Sequence, residues 1–435
     1  MRRTLRVPLH RATTAHMCSL YPFQAERGLG ARGVYLGTNL LTGGGGFAFD
    51  AFEAYRAGLV TNPNLLVAGE PGSGKSTFVK TYLARTRSVF APPAPRETRR
   101  ADAPPGRWLA VADPKGEYTA LADRLALPVV QLYPGGTTRL NPLDAGTLAT
   151  RDDRDERLRR RTDLVAALLG QVLRRDLSPL EDAALGWAIQ SLDTAPGTPT
   201  LLDVGALLSH PTQPMIERAR VDGATLARAL DPLVYALEKL LERSLRGMFD
   251  GATTVAATDL ERGFVLDLSV VHHDDEALRL VLLAATAWLQ TMLARRDGVP
   301  RVQVLDEAWR LLGSDRTTRY LQACWKLCRD YGVANLAVVH RLSDLRAQAD
   351  DGTTTAKVSM GLLADTQTRV LFRQASDQLA DARRLLGLNP RETEVLGRLV
   401  RGRALWKVGA RTAVVQHVVG PDETDMCDTD GRMRS

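Results

Sequence analysis

A chain of 435 residues with 44% hydrophobic side chains can bury a large core spread over two or three structural units. Its four cysteines (Cys18, Cys324, Cys328, Cys427) are too few and scattered for a disulfide framework. Its longest apolar run, 278–294, contains Arg279, Gln290 and Thr291 and falls short of the roughly 20 residues of a membrane span. The net charge of +7 is lopsided: through Arg107 there are fifteen Lys/Arg against six Asp/Glu, and beyond it forty-two against forty-four, so any pull on phosphates or an acidic partner lies in the first quarter.

Arg2, Arg3 and Arg6 open the chain without a following signal-peptide core, so the expectation is a reduced, cytoplasmic protein with no lipid insertion. The first predicted element is a hairpin. Gly33-Val-Tyr-Leu-Gly-Thr38 and Phe47-Ala-Phe-Asp-Ala-Phe52 flank a glycine run at 43–46 that supplies the turn, and the pair packs on a sheet edge. Short apolar strands follow at 65–68, 108–112, 129–132, 264–268, 302–305, 336–339 and 369–372, alternating with helical stretches as in a parallel sheet covered on both faces.

Residues 91–106 hold five prolines and a cluster of charges, the composition of a flexible insertion. From about 144 to 245 strand signals vanish and apolar residues recur at helical spacing, as in Leu164, Leu168, Leu169, Val172 and Leu173. Within that stretch Ser178-Pro-Leu-Glu181 has the form of a capping box, and Arg157 to Arg161 reads as a solvated helix face. Cys324 and Cys328 lie one helical turn apart and read as two thiols on a buried face, since no second Cys/His pair accompanies them. Helices are expected near 377–386 and 390–399, a hairpin at 404–408 and 412–419, and a polar tail at 420–435. The domain reading is an N-terminal extension with the hairpin (1–57), an α/β core (58–143 and 252–419), a helical insertion (144–251) and the tail.

Chemistry concentrates at two places. Gly69-Glu70-Pro71-Gly72-Ser73-Gly74-Lys75-Ser76 fits G-x-x-x-x-G-K-[ST], with Thr77 after it, a strand before it and a helix behind it. The glycines let backbone N–H groups close around phosphates, and the helix N-terminus adds its positive dipole end. Lys75 is expected to reach the β- and γ-phosphates of ATP, and the Ser76 hydroxyl to bind Mg²⁺. The second place is Val302-Gln-Val-Leu-Asp306-Glu307. An acid ending a strand would hold Mg²⁺ (Asp306), and its neighbour would orient and deprotonate the attacking water (Glu307).

Two further strand ends belong to the same ligand-facing edge of an open α/β sheet. Asp113-Pro-Lys-Gly-Glu-Tyr118 puts Lys115 and Glu117 near the γ-phosphate or a neighbouring subunit, or is simply a tight turn. His340 ends its strand either as a γ-phosphate sensor or as a hydrogen-bonded sheet-edge histidine. Arg329, Arg369 and Arg373 are candidates to reach a γ-phosphate, in cis or from the next subunit.

Together these motifs resemble the motor ATPases of conjugative type IV secretion systems, the VirB-type traffic ATPases, within the HerA/FtsK-like branch of RecA-fold P-loop ATPases. The resemblance runs from about Gly33 to Glu423. Its specific points are Asp113-Pro-Lys-Gly-Glu-Tyr118, Leu140-Asn-Pro-Leu-Asp144, Met248-Phe-Asp-Gly251, Val265-Leu-Asp-Leu-Ser269 and, above all, Leu305-Asp-Glu-Ala-Trp-Arg-Leu-Leu312. The resemblance implies a RecA-like P-loop NTPase core with a mainly parallel sheet, an all-α insertion and a short N-terminal hairpin. It further implies Mg²⁺-dependent ATP hydrolysis, a homo-hexamer, and partners among secretion-channel or coupling proteins at the inner face of the membrane. Lys326 and Arg329 match a basic pair associated with cross-subunit contact to nucleotide. The chain departs from the pattern at His340-Arg341, where Thr-Gln is common, and in having only about sixty residues before the P-loop. The alternatives are a HerA/FtsK-like translocase in direct contact with DNA, suggested by the basic first quarter, and a nucleotide-dependent assembly scaffold.

Overall fold

The computed structural model describes residues 29, 32–90, 107–144, 154–293, 298–307, 322, 325–326, 328–340, 363 and 365–428. The Pro-rich stretch 91–106, Cys324, residues 308–312, Arg341 and the end of the tail lie outside the described residues.

The strands are β1 (Val34–Asn39), β2 (Gly45–Phe49), β3 (Leu65–Ala68), β4 (Trp108–Asp113), β5 (Val129–Gln131), β6 (Gly263–Asp267), β7 (Arg301–Leu305), β8 (Val333–Val339), β9 (Thr368–Leu371), β10 (Arg403–Val408) and β11 (Arg411–His417). They form one sheet in the order β2-β1-β11-β10-β9-β3-β8-β7-β4-β6-β5. The block from β9 to β5 is parallel, and the two hairpins extend it antiparallel from β9 outward. This is the expected RecA-like, mainly parallel P-loop architecture with its N-terminal hairpin.

Strand alternation explains why the sheet is buried on both faces. Leu66 and Ala68 of β3, with Trp108, Ala110 and Ala112 of β4, feed one apolar cluster, while Leu65, Val67, Leu109 and Val111 feed another. The first cluster also holds the helices of the insertion; the second holds the helix Lys75–Val89 and both hairpins. Gly43 and Gly44, at φ of 71° and 98°, make the first hairpin's turn, a conformation that would strain a residue with a Cβ.

From Arg154 to Ser244 the chain is helical, and the segments before and after it are stitched together. Leu140 N–H donates to Met248 O, Gly135 N–H to Arg246 O, and Asn141 Nδ2 to Pro199 O. Ser178 and Glu181 form the capping box of Pro179–Thr194. The arginines at the insertion's start are committed: Arg154, Arg157 and Arg161 converge on Asp193, while Arg159 and Arg160 pair with Glu156. Cys328 is buried, accepts from Asn64 Nδ2, and burial pushes its thiol up to about 11, so it is an inert core thiol.

Residues 420–428, expected as the start of a polar tail, instead pack on the helix Lys75–Val89. Met426 is buried there, and Arg85 gathers four acceptors: both Glu423 carboxylate oxygens, Tyr35 O and Val418 O. One guanidinium thus ties β1, the end of β11 and the last helix to the P-loop helix. Arg85→Ala leaves Glu423, only 5% exposed, without its cation and should cost about 2–3 kcal/mol in urea unfolding, with a smaller further loss on adding Glu423→Ala.

Candidate nucleotide site at the carboxyl edge of the sheet

Strand register assembles the site. Ala68 of β3 stands opposite Val339 of β8, Leu305 of β7 opposite Ala337 of β8, and Ala112 of β4 opposite Leu305. The residues that follow these strand ends therefore emerge together: the P-loop after β3, His340 after β8, Asp306 and Glu307 after β7, and Asp113 closing β4. β8 separates the P-loop strand from the acidic strand by one strand width, about 5 Å on each side.

The P-loop turns through Gly72 and Gly74, at φ of 72° and 111°. Ser73 Oγ donates to Glu70 O at 2.7 Å, and Gly402 N–H donates to Ser73 O at 3.0 Å, so the β10 hairpin braces the loop from outside. Gly69 is required for another reason: a Cβ there would lie 2.5 Å from Phe372 Cβ, at the end of β9. Helix Lys75–Val89 starts with no side-chain cap, leaving its first N–H groups to an anion. Lys75 Nζ donates to Gly69 O at 2.6 Å and Glu70 O at 2.8 Å. Burial pushes its ammonium down from 10.5 to about 8, against the attraction of Asp306 and Glu307, and Lys115 pushes the same way.

Across the site, Asp113 is a buried brace. Its two oxygens accept from the N–H groups of Lys115, Glu117 and Tyr118 at 3.2, 3.1 and 2.9 Å, pinning the turn that projects Lys115. Burial nevertheless raises its carboxyl to about 6. Tyr118 is fully buried and its hydroxyl donates to Asp306 Oδ2 at 3.4 Å; burial and the surrounding acids keep the phenol neutral. Lys80, one turn beyond the P-loop, is buried with its ammonium 5.7 Å from the Tyr118 ring.

The acidic pair is the tightest part. Asp306 is buried, and burial raises its carboxyl while Lys115 opposes the rise. Glu307 has φ +56°, the left-handed region, at a cost of about 1 kcal/mol for a residue with a Cβ. Its N–H donates to Asp306 Oδ1 at 2.9 Å. Its Oε1 lies 2.5 Å from Lys115 Nζ and 2.7 Å from His340 Nε2, and those two nitrogens are 2.7 Å apart. Burial raises the Glu307 carboxyl, but the contacts with His340 and Lys115 outweigh it and hold the group well below the usual carboxylate range.

The donor set fits a divalent cation and a polyphosphate. Ligand atoms of Asp306, Glu307 and His340 lie within 4.8 Å of one another, beside the uncapped helix N-terminus and two lysines. Ser76 and Thr77 occupy the first turn of that helix.

Other sequence candidates are placed elsewhere. Arg329 is exposed in the short helix Cys328–Tyr331, which precedes β8; the strand's seven residues, about 20 Å of extended chain, separate it from the His340 end. Lys326 is exposed nearby. Arg369 is excluded from the site: at the start of β9, its guanidinium donates to the carbonyls of Thr366, Leu363 and Leu386. Arg373, at the other end of β9, does reach the P-loop and pairs with Glu70 at 3.0 Å. Sequence reasoning did not foresee that Lys115 would contact Glu307, although the Asp113-Pro-Lys turn had marked it, nor that Gly402 would brace Ser73.

Neither a protein-family profile nor a curated protein matches the sequence. Solved structures do match. VirB4 of Thermoanaerobacter pseudethanolicus superposes with a TM-score of 0.71 at 20% identity, over 92% of this chain and 100% of that one. The plasmid coupling protein TrwB in complex with the non-hydrolysable ATP analogue ADPNP gives 0.53 at 16% identity, over 82% and 85%. TrwB in complex with ADP and Mg²⁺ gives 0.52 at 15%, over 82% and 86%. The fold is that of VirB4 and TrwB. The mainly parallel fold expected from the motifs is therefore met. Among the described residues, no helix is long and apolar enough to cross a membrane.

The contact at Gly69 yields a test. Gly69→Ala forces a methyl group onto Phe372 Cβ and should lower stability by about 1–3 kcal/mol in urea unfolding; the same loss should appear on top of Phe372→Ala, because alanine keeps the Cβ that the new methyl meets.

Proposed function

We propose that the chain is an ATP-hydrolysing motor of a conjugative, type IV secretion-type DNA-transfer apparatus. One observation carries the reading: the P-loop lysine and a buried Asp-Glu pair share one sheet edge, separated by a single strand, in a fold shared with VirB4 and with TrwB. TrwB's complexes with ADPNP and with ADP and Mg²⁺ support the choice of ligand.

In this reading the backbone of Gly69 to Thr77 and the Lys75 ammonium hold the phosphates. Ser76 and Asp306 would hold Mg²⁺, which neutralises charge on the phosphate oxygens. Glu307 orients a water for attack on the γ-phosphorus and takes its proton, as the new P–O bond forms and the bond to the ADP oxygen breaks. His340, against the Glu307 carboxylate, sets that side chain's direction. Arg329, exposed and remote from its own chain's site, serves a neighbour's site across the interface of a homo-hexamer. The core is 58–143 with 252–419, and the helical unit 144–251 is what hydrolysis moves. Channel or coupling proteins hold the assembly at the inner face of the membrane.

Steady-state hydrolysis at low salt, with and without double-stranded DNA, tests this. The wild type should turn over many ATP per subunit regardless of DNA. Glu307→Gln should lose about 100-fold or more in kcat while still binding MgATP, and Lys75→Ala should lose binding. Turnover untouched by Glu307→Gln would sink the motor reading, and strong stimulation by DNA would move it to a DNA translocase. Because the free Lys75 ammonium titrates near 8, ATP affinity should fall several-fold as pH rises from 7 to 9.5; Lys75→Arg, whose charge persists, should flatten that decline.

A further inference from the structure

A general base should be unencumbered when it takes a proton, and Glu307 is not. It is 3% exposed in its side chain, sits in a strained backbone conformation, and shares Oε1 between Lys115 at 2.5 Å and His340 at 2.7 Å. A carboxylate oxygen already engaged by two nitrogens has no free lone pair aimed at a water. Something must loosen it, and of the two partners Lys115 has the longer, more flexible side chain. The Lys115 backbone is fixed by Asp113, but its side chain is 25% exposed on a flexible four-carbon stem. Lys115 follows β4 at the same carboxyl edge at which the P-loop after β3 carries Lys75 and presents its N–H groups, so two like charges face one place. A triphosphate at that place would attract both cations, and a diphosphate would leave only one of them engaged.

We propose that Lys115 is a shared cation that passes from Glu307 to the γ-phosphate. Paired with Glu307, it silences the base; drawn to the γ-phosphate beside Lys75, it frees Glu307 to face the water and tells ATP from ADP. The inference rests on the nucleotide reading above and assigns Lys115 a direct contact with substrate. Glu307 and the γ-phosphate then compete for one ammonium, so the carboxylate weakens triphosphate binding only while Lys115 is present. Substituting either partner must change the effect of the other.

The experiment is a double-mutant cycle on the full chain: wild type, Lys115→Gln, Glu307→Gln and the double variant. It reads dissociation constants for AMP-PNP and ADP with Mg²⁺, so no turnover is needed. Lys115→Gln should weaken AMP-PNP about tenfold, the loss of one charge-assisted hydrogen bond, and leave ADP within about twofold. Glu307→Gln should tighten AMP-PNP several-fold in the wild-type background and not in Lys115→Gln. Lys115→Arg, which keeps the charge, should restore much of the preference for AMP-PNP over ADP and shows that a failed Lys115→Gln is not simply a misfolded one. Equal weakening of both nucleotides by Lys115→Gln overturns the proposal. So does the same tightening by Glu307→Gln in both backgrounds, or failure of Lys115→Arg to discriminate better than Lys115→Gln. If the wild type binds neither nucleotide, the ATPase reading falls and this one with it. Tight binding without discrimination leaves the ATPase reading standing and removes only the role of Lys115.

Discussion

Burying charge at the end of a sheet is the constraint on which this molecule is built. Asp113, Asp267, Asp306 and Glu307 end three adjacent strands or follow directly on them, and all four are buried. Unpaired, each would pay a large desolvation cost. The structure answers each acid differently. Asp113 takes three backbone N–H groups, and Asp267 accepts from Gln131 Nε2 and Ser269 N–H. Asp306 receives Tyr118, and Glu307 receives Lys115 and His340. Facing them across β8, Lys75 is buried with only carbonyl acceptors in direct contact. The two halves of the edge are each electrostatically uncomfortable, and the proposed magnesium-bound polyphosphate would complement both.

Much of this was legible in the sequence because it is encoded locally. A strand of four buried residues followed by Gly69 to Ser76, and a buried strand ending in Asp306-Glu307, need no long-range information to be read. The parallel strands were visible as short apolar runs because both faces of the sheet are covered, so the alternation that marks a half-exposed strand is missing. Ser178 and Glu181 announced their helix start for the same local reason. The hairpin glycines at 43 and 44 were readable as a turn because few other residues tolerate their backbone angles.

What the sequence concealed is what depends on register and on contacts between distant segments. Lys115 and His340 are 225 positions apart, and only the order of β4, β7 and β8 brings their nitrogens together. Arg369 and Arg373 are four residues apart in one short strand segment, yet one end of β9 leads to the P-loop and the other to a set of carbonyls. One arginine is therefore beside the candidate site and the other is structural. The polar composition after Gly420 marked a tail without saying what it packs on; Met426 and the Arg85–Glu423 pair dock its start, because a single buried side chain and one well-partnered guanidinium suffice to hold a short segment.

The bracing of the P-loop by β10 bears on how the chain comes to be made. Residue 73 leans on residue 402, Phe372 fills the space beside Gly69, and β1 is paired with β11, which ends at His417. On the ribosome, the supports of the loop emerge only after some three hundred further residues have followed it. Until then β3 lacks β8 and β9, and the N-terminal hairpin lacks the strand it pairs with. The nascent chain therefore carries an apolar strand with two open edges while those residues are added, the kind of segment that holding chaperones bind. Closure of the ring of contacts around residue 73 comes only once residue 402 has emerged, so a partly made chain is a client for folding assistance before its loop is braced.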